Sequence, residues 1–497
     1  MAFELMAPLM FTGLAILLLL GYPVAFALAA NGMFFAFAGI ELGLLTPELL
    51  QALPQRLFGI MQNQILLAIP FFTFMGLILE RSGMAEDLLD TVGQLFGPVR
   101  GGVAYAVIFV GALLAATTGV IAASVIAMGL ISLPVMLRYG YSKQMASGVI
   151  CASGTLAQII PPSIVLIVLA DVLGASVGDL YKGAMLPGLM LVALLMVFVL
   201  IISIIKPETL PALPAEVRQL RGWPLYQHAL LVMVPPLVLI FLVLGTIFIG
   251  VATPTEGGAM GAVGSLALAW VKKRLSMRVV TQALDQTTKL ASFVMFILIG
   301  STVFSLVFRA VNGDLWVERL FSLVPGGVVG FLVVVNLIVF ILGFFIDFFE
   351  IAFILLPLIG PVAAKLGVDL VWFAVMIGMN LQTSFLTPPF GFALFYLRSC
   401  APPQVKTADI YKGIIPFVGV QLVALALTVA FPQLVTALTR DAQVVDPSKV
   451  EIRIESIDAP QEGESPVEEQ PAGEAEEKQS EEEKSAAEIQ KAFQGGK

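Results

Sequence analysis

What most constrains this chain is a recurrence. Apolar stretches with few charges, each about 18–25 residues long, follow one another along most of its 497 residues. A helix needs about 20 such residues to cross the hydrocarbon core of a bilayer. Membrane spans are expected at residues 7–22, 24–42, 56–79, 144–169, 183–205, 226–250, 254–271, 290–308, 369–397 and 412–437. Charged residues are 12% of the chain, about half their share in a soluble domain, which excludes an ordinary cytosolic enzyme. No basic n-region precedes the first stretch and further spans follow directly, so it is expected to be a span and not a cleaved leader.

Two segments fit poorly as simple spans. Residues 101–137 run apolar, break at Thr117-Thr118-Gly119 and run apolar again; residues 326–366 do the same around Ile346–Glu350. Such segments are expected to be re-entrant helical hairpins, whose irregular tips are tolerated at membrane depth only where protein or water covers them.

An internal repeat orders these pieces. Leu133-Pro134 recurs as Leu356-Pro357, an offset of 223; Pro161-Pro162 recurs as Pro388-Pro389, an offset of 227; Asp179–Gly183 recurs as Asp409–Gly413, an offset of 230. Each half therefore runs hairpin, Leu-Pro, a span interrupted at Pro-Pro, then Asp-hydrophobe-Tyr-Lys-Gly before another span. The expected fold is an all-α integral membrane protein with two re-entrant hairpins and two helices broken at Pro-Pro, the build of a secondary transporter made from inverted repeats.

Charge placement sets the orientation. Residues 440–497 carry 16 acidic and 7 basic groups, so the acidity belongs to a tail too polar to fold alone, and the body is nearly neutral. With the N-terminus outside and the two hairpins entering from opposite faces, 15 of the body's 20 basic residues fall inside. The remaining five, Arg56, Lys182, Arg309, Arg319 and Lys365, fall outside. Residues 84–98 and 275–288 read as amphipathic arms on the inner face. No basic patch with interleaved aromatics points to nucleic acid. His228 is the only histidine, Cys151 and Cys400 stand far apart, and no phosphate-binding loop occurs, so clustered-ligand metal chemistry and ATP hydrolysis are not expected.

The helix breaks carry the chemistry. Proline removes a backbone donor and frees carbonyls upstream, and nearby hydroxyls complete an all-oxygen shell suited to a sodium ion. The sodium-ligand candidates are Ser153, Gly154, Thr155, Thr383, Ser384 and Thr387 at the breaks, with Asp347 at the second hairpin tip. Substrate-contact candidates are Gln158, Ser163, Asn380, Gln382 and Glu350, near half-helix N-termini whose partial positive charge favours an anion. An acid at membrane depth is costly, which marks Asp347 and Glu350; a coupling proton on Asp347 and an enzyme acid–base pair are the alternatives. No organic cofactor is expected. Glycines in 102–111 and 257–264 are expected to mark close helix packing.

Gly21–Leu28, Ala116–Ala123, Ser153–Ser163, Thr253–Gly264, Phe345–Asp347 and Leu386–Gly391 resemble the large membrane subunit of tripartite ATP-independent periplasmic (TRAP) transporters, over roughly residues 5–437. The resemblance implies an elevator-type permease of the ion-transporter superfamily, driven by sodium, in a bacterial inner membrane. It also implies a small four-helix membrane subunit, a periplasmic substrate-binding protein and a small organic anion, commonly a carboxylate, as cargo. Its ion sites map onto Thr117–Gly119 with Ser153–Pro161, and onto Phe345–Asp347 with Gln382–Pro388, which implies Thr117, Thr118 and Gly119 as further sodium ligands. The long acidic tail and Glu350 depart from the family pattern. The domains expected are scaffold spans and arm at 1–100, the first hairpin and broken helix at 101–182, and a span with further scaffold at 183–325. The second hairpin and broken helix follow at 326–410, the last span at 411–439 and the tail at 440–497.

Overall fold

In a computed structural model, residues 2–119, 121–218 and 222–439 are described, with residues 2–4 and Thr117 and Thr118 described in their backbone only. The predicted tail, 440–497, lies outside the described residues. Among those residues the regular structure is entirely helical. The first group is α1 (Ala2–Leu19), α2 (Val24–Glu41), α3 (Ala52–Met61), α4 (Ala68–Arg81) and the amphipathic α5 (Met84–Phe96). Next come α6 (Gly102–Thr118) and α7 (Ile121–Arg138), which form the first expected hairpin. The first broken span is α8 (Lys143–Thr155) and α9 (Ile164–Leu173), followed by α10 (Val177–Ile205).

The second half repeats this order. It contains α11 (Trp223–Phe248), α12 (Pro254–Val271), α13 (Met277–Ala310) and α14 (Gly313–Ser322). Its hairpin is α15 (Gly327–Leu342) with α16 (Phe348–Ile354) and α17 (Leu356–Lys365); its broken span is α18 (Leu370–Phe385) and α19 (Phe392–Cys400). Then α20 (Thr407–Ala430) and the short α21 (Gln433–Thr436) close the body. Each hairpin opens on a glycine in the left-handed region, Gly101 (φ 75°) and Gly326 (φ 97°), where a side chain would strain the turn. Both Pro-Pro bonds are cis.

Two expectations need correcting. The arm at 275–288 and the span at 290–308 are one helix of 34 residues, α13, because no glycine or proline interrupts 277–299. The counterpart of α5 is instead α14, which turns through 113° into α15. The expected span at 56–79 is likewise two helices, α3 and α4, parted at residues 62–67. Six described helices are long and apolar enough to cross a membrane by length and composition: α2, α7, α10, α11, α13 and α20. Their outer faces expose residues such as Phe34, Ile204 and Phe241, an apolar surface suited to lipid.

Packing follows the repeat. Helix α2 lies on α13 and α4 on α12, while α7 and α20 pack on α8, and α15 and α20 on α18. The glycine stripe of α12 permits the second contact: a Cβ on Gly258 would lie 3.0 Å from Phe71 Cβ. Loop contacts agree with the expected faces. Arg274 donates to the Ser82 and Gly83 carbonyls and pairs with Asp87, while Arg81 donates to Gln282, all on segments assigned inside. Lys365 pairs with Glu318, and Thr255 donates to the Gln64 carbonyl, on segments assigned outside.

Candidate functional site

The first helix break lies buried in the body, the second is buried as far as Leu386 and exposed at Pro389 and Phe390, and each hairpin tip rests on the break of its own half. A Cβ on Gly119, at the first tip, would lie 3.2 Å from the Ile164 amide that starts α9. In the second half, Gly343 is packed directly against Ser384, and the Phe345 and Phe390 rings stand 5.4 Å apart. One cavity of about 150 Å³ reaches all of these parts, with Gly119, Gln158, Ile164, Asp347, Phe385 and Tyr396 among its walls. Two hairpins and two breaks thus meet at one place.

The hydroxyls at the breaks share a pattern. Ser153 donates to the Val149 carbonyl (2.7 Å), Thr383 to Met379 (2.9 Å), Ser384 to Leu381 (2.9 Å) and Thr387 to Thr383 (2.8 Å). Each commits its only proton to its own helix and keeps oxygen lone pairs free to accept from a donor or ligate a cation. Gly154 sits against Val125 of α7, so its contribution is close approach. For Thr117 and Thr118 the side chains lie outside those described.

Three assigned residues are engaged elsewhere. Thr155 donates to the Ala152 carbonyl and accepts from both Gln382 (3.5 Å) and Gln421 (3.0 Å), which leaves no lone pair for an ion in this arrangement. Asn380 donates to the backbone and side-chain oxygens of Asn336 (2.7 and 2.8 Å), tying α18 to the second hairpin. Glu350 closes a capping box: the Asp347 amide donates to its carboxylate at 3.2 Å, while the Phe348 amide donates to Asp347 at 2.7 Å. An Asp-x-x-Glu spacing at a helix start does this without any ligand, and Glu350 is not among the residues lining the cavity.

Ser163 is fully buried and donates to the Gln158 carbonyl (2.7 Å), which shapes the turn after the first break. Gln158 alone of the five substrate candidates lines the cavity, and both polar atoms of its amide are buried with no hydrogen-bond partner among the described residues. A buried amide left without partners is costly, so this one is poised for a ligand or water.

Thr155 and Gln382 lie 227 residues apart, the offset of the Pro-Pro pair, and touch each other. Equivalent residues meet in this way where a two-fold axis passes between two repeats. Sequence reading missed Asn336, Tyr396 and Gln421. Asn336 and Gln421 are lone polar residues in apolar stretches of their helices, and Tyr396 follows the second break within α19.

A second cavity of about 560 Å³ adjoins the first, sharing Ala122 and Leu290, and is lined by Thr73, Glu80, Arg81 and Lys289. It lies between α4 and α13 on one side and α7 on the other, toward the face assigned inside.

Comparison with known proteins decides the family. Residues 11–434 match the family described as the tripartite ATP-independent periplasmic transporter, DctM component. The chain belongs to this family as a large permease subunit. It is a multi-pass inner-membrane protein that serves transport; its relatives are named as permeases, not enzymes. It is 32% identical to the C4-dicarboxylate TRAP transporter large permease protein DctM of Pseudomonas aeruginosa, over 80% of this chain and 91% of that one. It is 28% identical to the sialic acid TRAP transporter large permease protein SiaM of Vibrio cholerae, over 84% and 94% respectively. The fold resembles the crystal structure of the Alcanivorax borkumensis YdaH transporter, with a TM-score of 0.57 at 16% identity, covering 80% of this chain and 91% of that one.

Proposed function

We propose that this permease is the membrane core of a sodium-coupled symporter that carries a small organic anion, a carboxylate, into the cell by an elevator movement. The observation that supports this most is the convergence of two hairpin tips and two broken helices on one cavity. Asp347 lines that cavity, and the breaks that meet there carry the hydroxyls of Ser153, Thr383, Ser384 and Thr387 with lone pairs free. Sodium prefers hard oxygen ligands of this kind. Ser153 on the first break, and Thr383, Ser384 and Thr387 with Asp347 in the second half, are the sodium ligands in this reading, and Gln158 contacts the solute.

The fixed scaffold is formed by α1–α4 with α11–α13. The hairpins and broken helices move against it, with α10 and α20 packed on them. The cavity lined by Arg81 and Lys289 is the release path for an anion in this reading. A periplasmic binding protein delivers the cargo, and a small four-helix membrane subunit completes the assembly. Both named relatives handle organic acids, a C4-dicarboxylate in one case and sialic acid in the other, which favours a carboxylate cargo.

The test begins with thermal-shift screening of the cognate binding protein against organic acids. The stabilising acid is then offered to liposomes containing the permease and the small subunit. Uptake that appears only when the binding protein is added is the expected result. A permease that transports the acid alone, driven by a pH gradient, would replace this reading with a stand-alone proton-coupled carrier.

A further inference from the structure

A separate cavity of about 190 Å³ opens on the face assigned outside, away from the helix breaks. Its walls include Arg56 of α3, and Ser301, Thr302, Ser305 and Arg309 of α13, facing Asp171 of α9. Residues 301, 305 and 309 are four apart, so they form one stripe along α13 that ends in a guanidinium. Both arginines are exposed, and among the described residues neither takes part in an ion pair. The one carboxylate in the wall, Asp171, already accepts from the Asn63 amide at 2.6 Å. Ser301 donates its proton to the Phe353 carbonyl at 2.5 Å, so it has none left to give an anion. Thr302 and Ser305 supply the hydroxyls beside the two guanidiniums.

We propose that this cavity is an anion-binding subsite on the outer face, which takes a carboxylate of the cargo on Arg56 and Arg309 before it reaches the buried site. The guanidinium fork matches a carboxylate with two parallel hydrogen bonds, and two forks without an acidic partner leave net positive charge there even with Asp171 ionised. The wall joins helices of the fixed scaffold to helices of the moving body, so the subsite spans the seam along which the body slides. The proposal rests on the transport reading for the class of its ligand only; the site itself stands on the residues named.

The test is equilibrium binding to the permease purified with its small subunit in phosphatidylcholine nanodiscs, in sodium-free buffer without binding protein. The probes are acetate, succinate and sialic acid. At least one should bind, and Arg56→Gln and Arg309→Gln should each weaken it by about tenfold or more, as expected for loss of a charge-assisted hydrogen bond. Lys182→Gln, which removes a charge elsewhere on the same face, should leave binding unchanged. Absence of binding, or binding insensitive to both arginines, overturns the proposal. Loss of binding in Gln158→Ala but not in the arginine variants puts the anion in the buried site, and sinks this proposal while sparing the transport reading. Unchanged anion binding with weaker capture of the binding protein, or with loss of co-purified phospholipid, assigns the arginines to a docking surface or a lipid headgroup instead. Arginine-dependent binding in a permease that fails to use sodium would leave the subsite intact and remove only the coupling.

Discussion

The two halves of this permease build the same joint from different residues. In the first, Gly111 of the hairpin lies against Ser153 of the broken helix, so closely that a Cβ on Gly111 would be 2.7 Å from Ser153 Cβ. In the second, the positions 225 and 227 residues later are Asn336 and Asn380, joined by two hydrogen bonds. The tips differ as well. The first passes through Gly119 and continues as Ile121-Ala122-Ala123 without a charge, whereas the second carries Asp347 at the cap of α16. A repeat thus preserves where the chain turns and what it packs against, while the chemistry at equivalent places diverges. The first half holds its joint by close contact, the second by an amide pair, and only the second brings a carboxylate to the shared cavity.

The largest effect is expected where the difference is steric. Gly111→Asn places an amide where the second half carries one, but opposite Ser153 there is no room for it. Overpacking costs about 1–3 kcal/mol or more. The variant should therefore lose its folded peak in size-exclusion chromatography; a wild-type profile would show that the first joint is looser than described.

Next comes Asp347→Asn. Asparagine caps a helix as well as aspartate does, so α16 keeps its start and only the charge is lost. The sodium concentration for half-maximal uptake should rise about tenfold or more, with insertion unchanged. A sodium curve matching wild type would reduce Asp347 to a helix cap. Loss of concentrative uptake with exchange retained would make it a proton carrier.

Asn380→Ala should be milder. It leaves the Asn336 oxygens without their donor, at a cost of about 1–3 kcal/mol, read as a lower midpoint of thermal unfolding in detergent. An unchanged midpoint would mean that the amide pair adds no stability over the glycine joint. The smallest effect is expected for Glu350→Gln, since glutamine also serves in a capping box; stability should fall by under about 1 kcal/mol with transport near wild type. Transport that collapses as in Asp347→Asn would return Glu350 to the site.

The architecture was legible because it is written in breaks. Pro161-Pro162, Pro388-Pro389 and Thr117–Gly119 interrupt apolar runs that would otherwise be featureless, and their spacing exposes the repeat. Most spans therefore fall within a few residues of their expected places. Residues 275–308 were harder, since polar and apolar stretches join there with nothing to end the helix, and α13 runs through both. Side-chain roles were less legible than positions. Thr155 stands at a break like its neighbours, yet two glutamines from distant helices saturate it, a fact of packing that no local pattern contains. Glu350 illustrates the reverse: its spacing from Asp347 is a capping signal, overshadowed by the cost of an acid at membrane depth. The stripe Ser301–Ser305–Arg309 is also visible in the sequence, but its meaning depends on Arg56 arriving from a helix some 250 residues earlier.

The most direct test of the account is initial uptake into liposomes holding permease and small subunit, with loaded binding protein outside and no ATP. An inward sodium gradient should drive accumulation, which should stop when sodium is replaced by potassium and should not respond to a pH gradient imposed alone. Accumulation that persists without sodium and follows the pH gradient would contradict the assignment of the broken-helix hydroxyls and Asp347 to a sodium site.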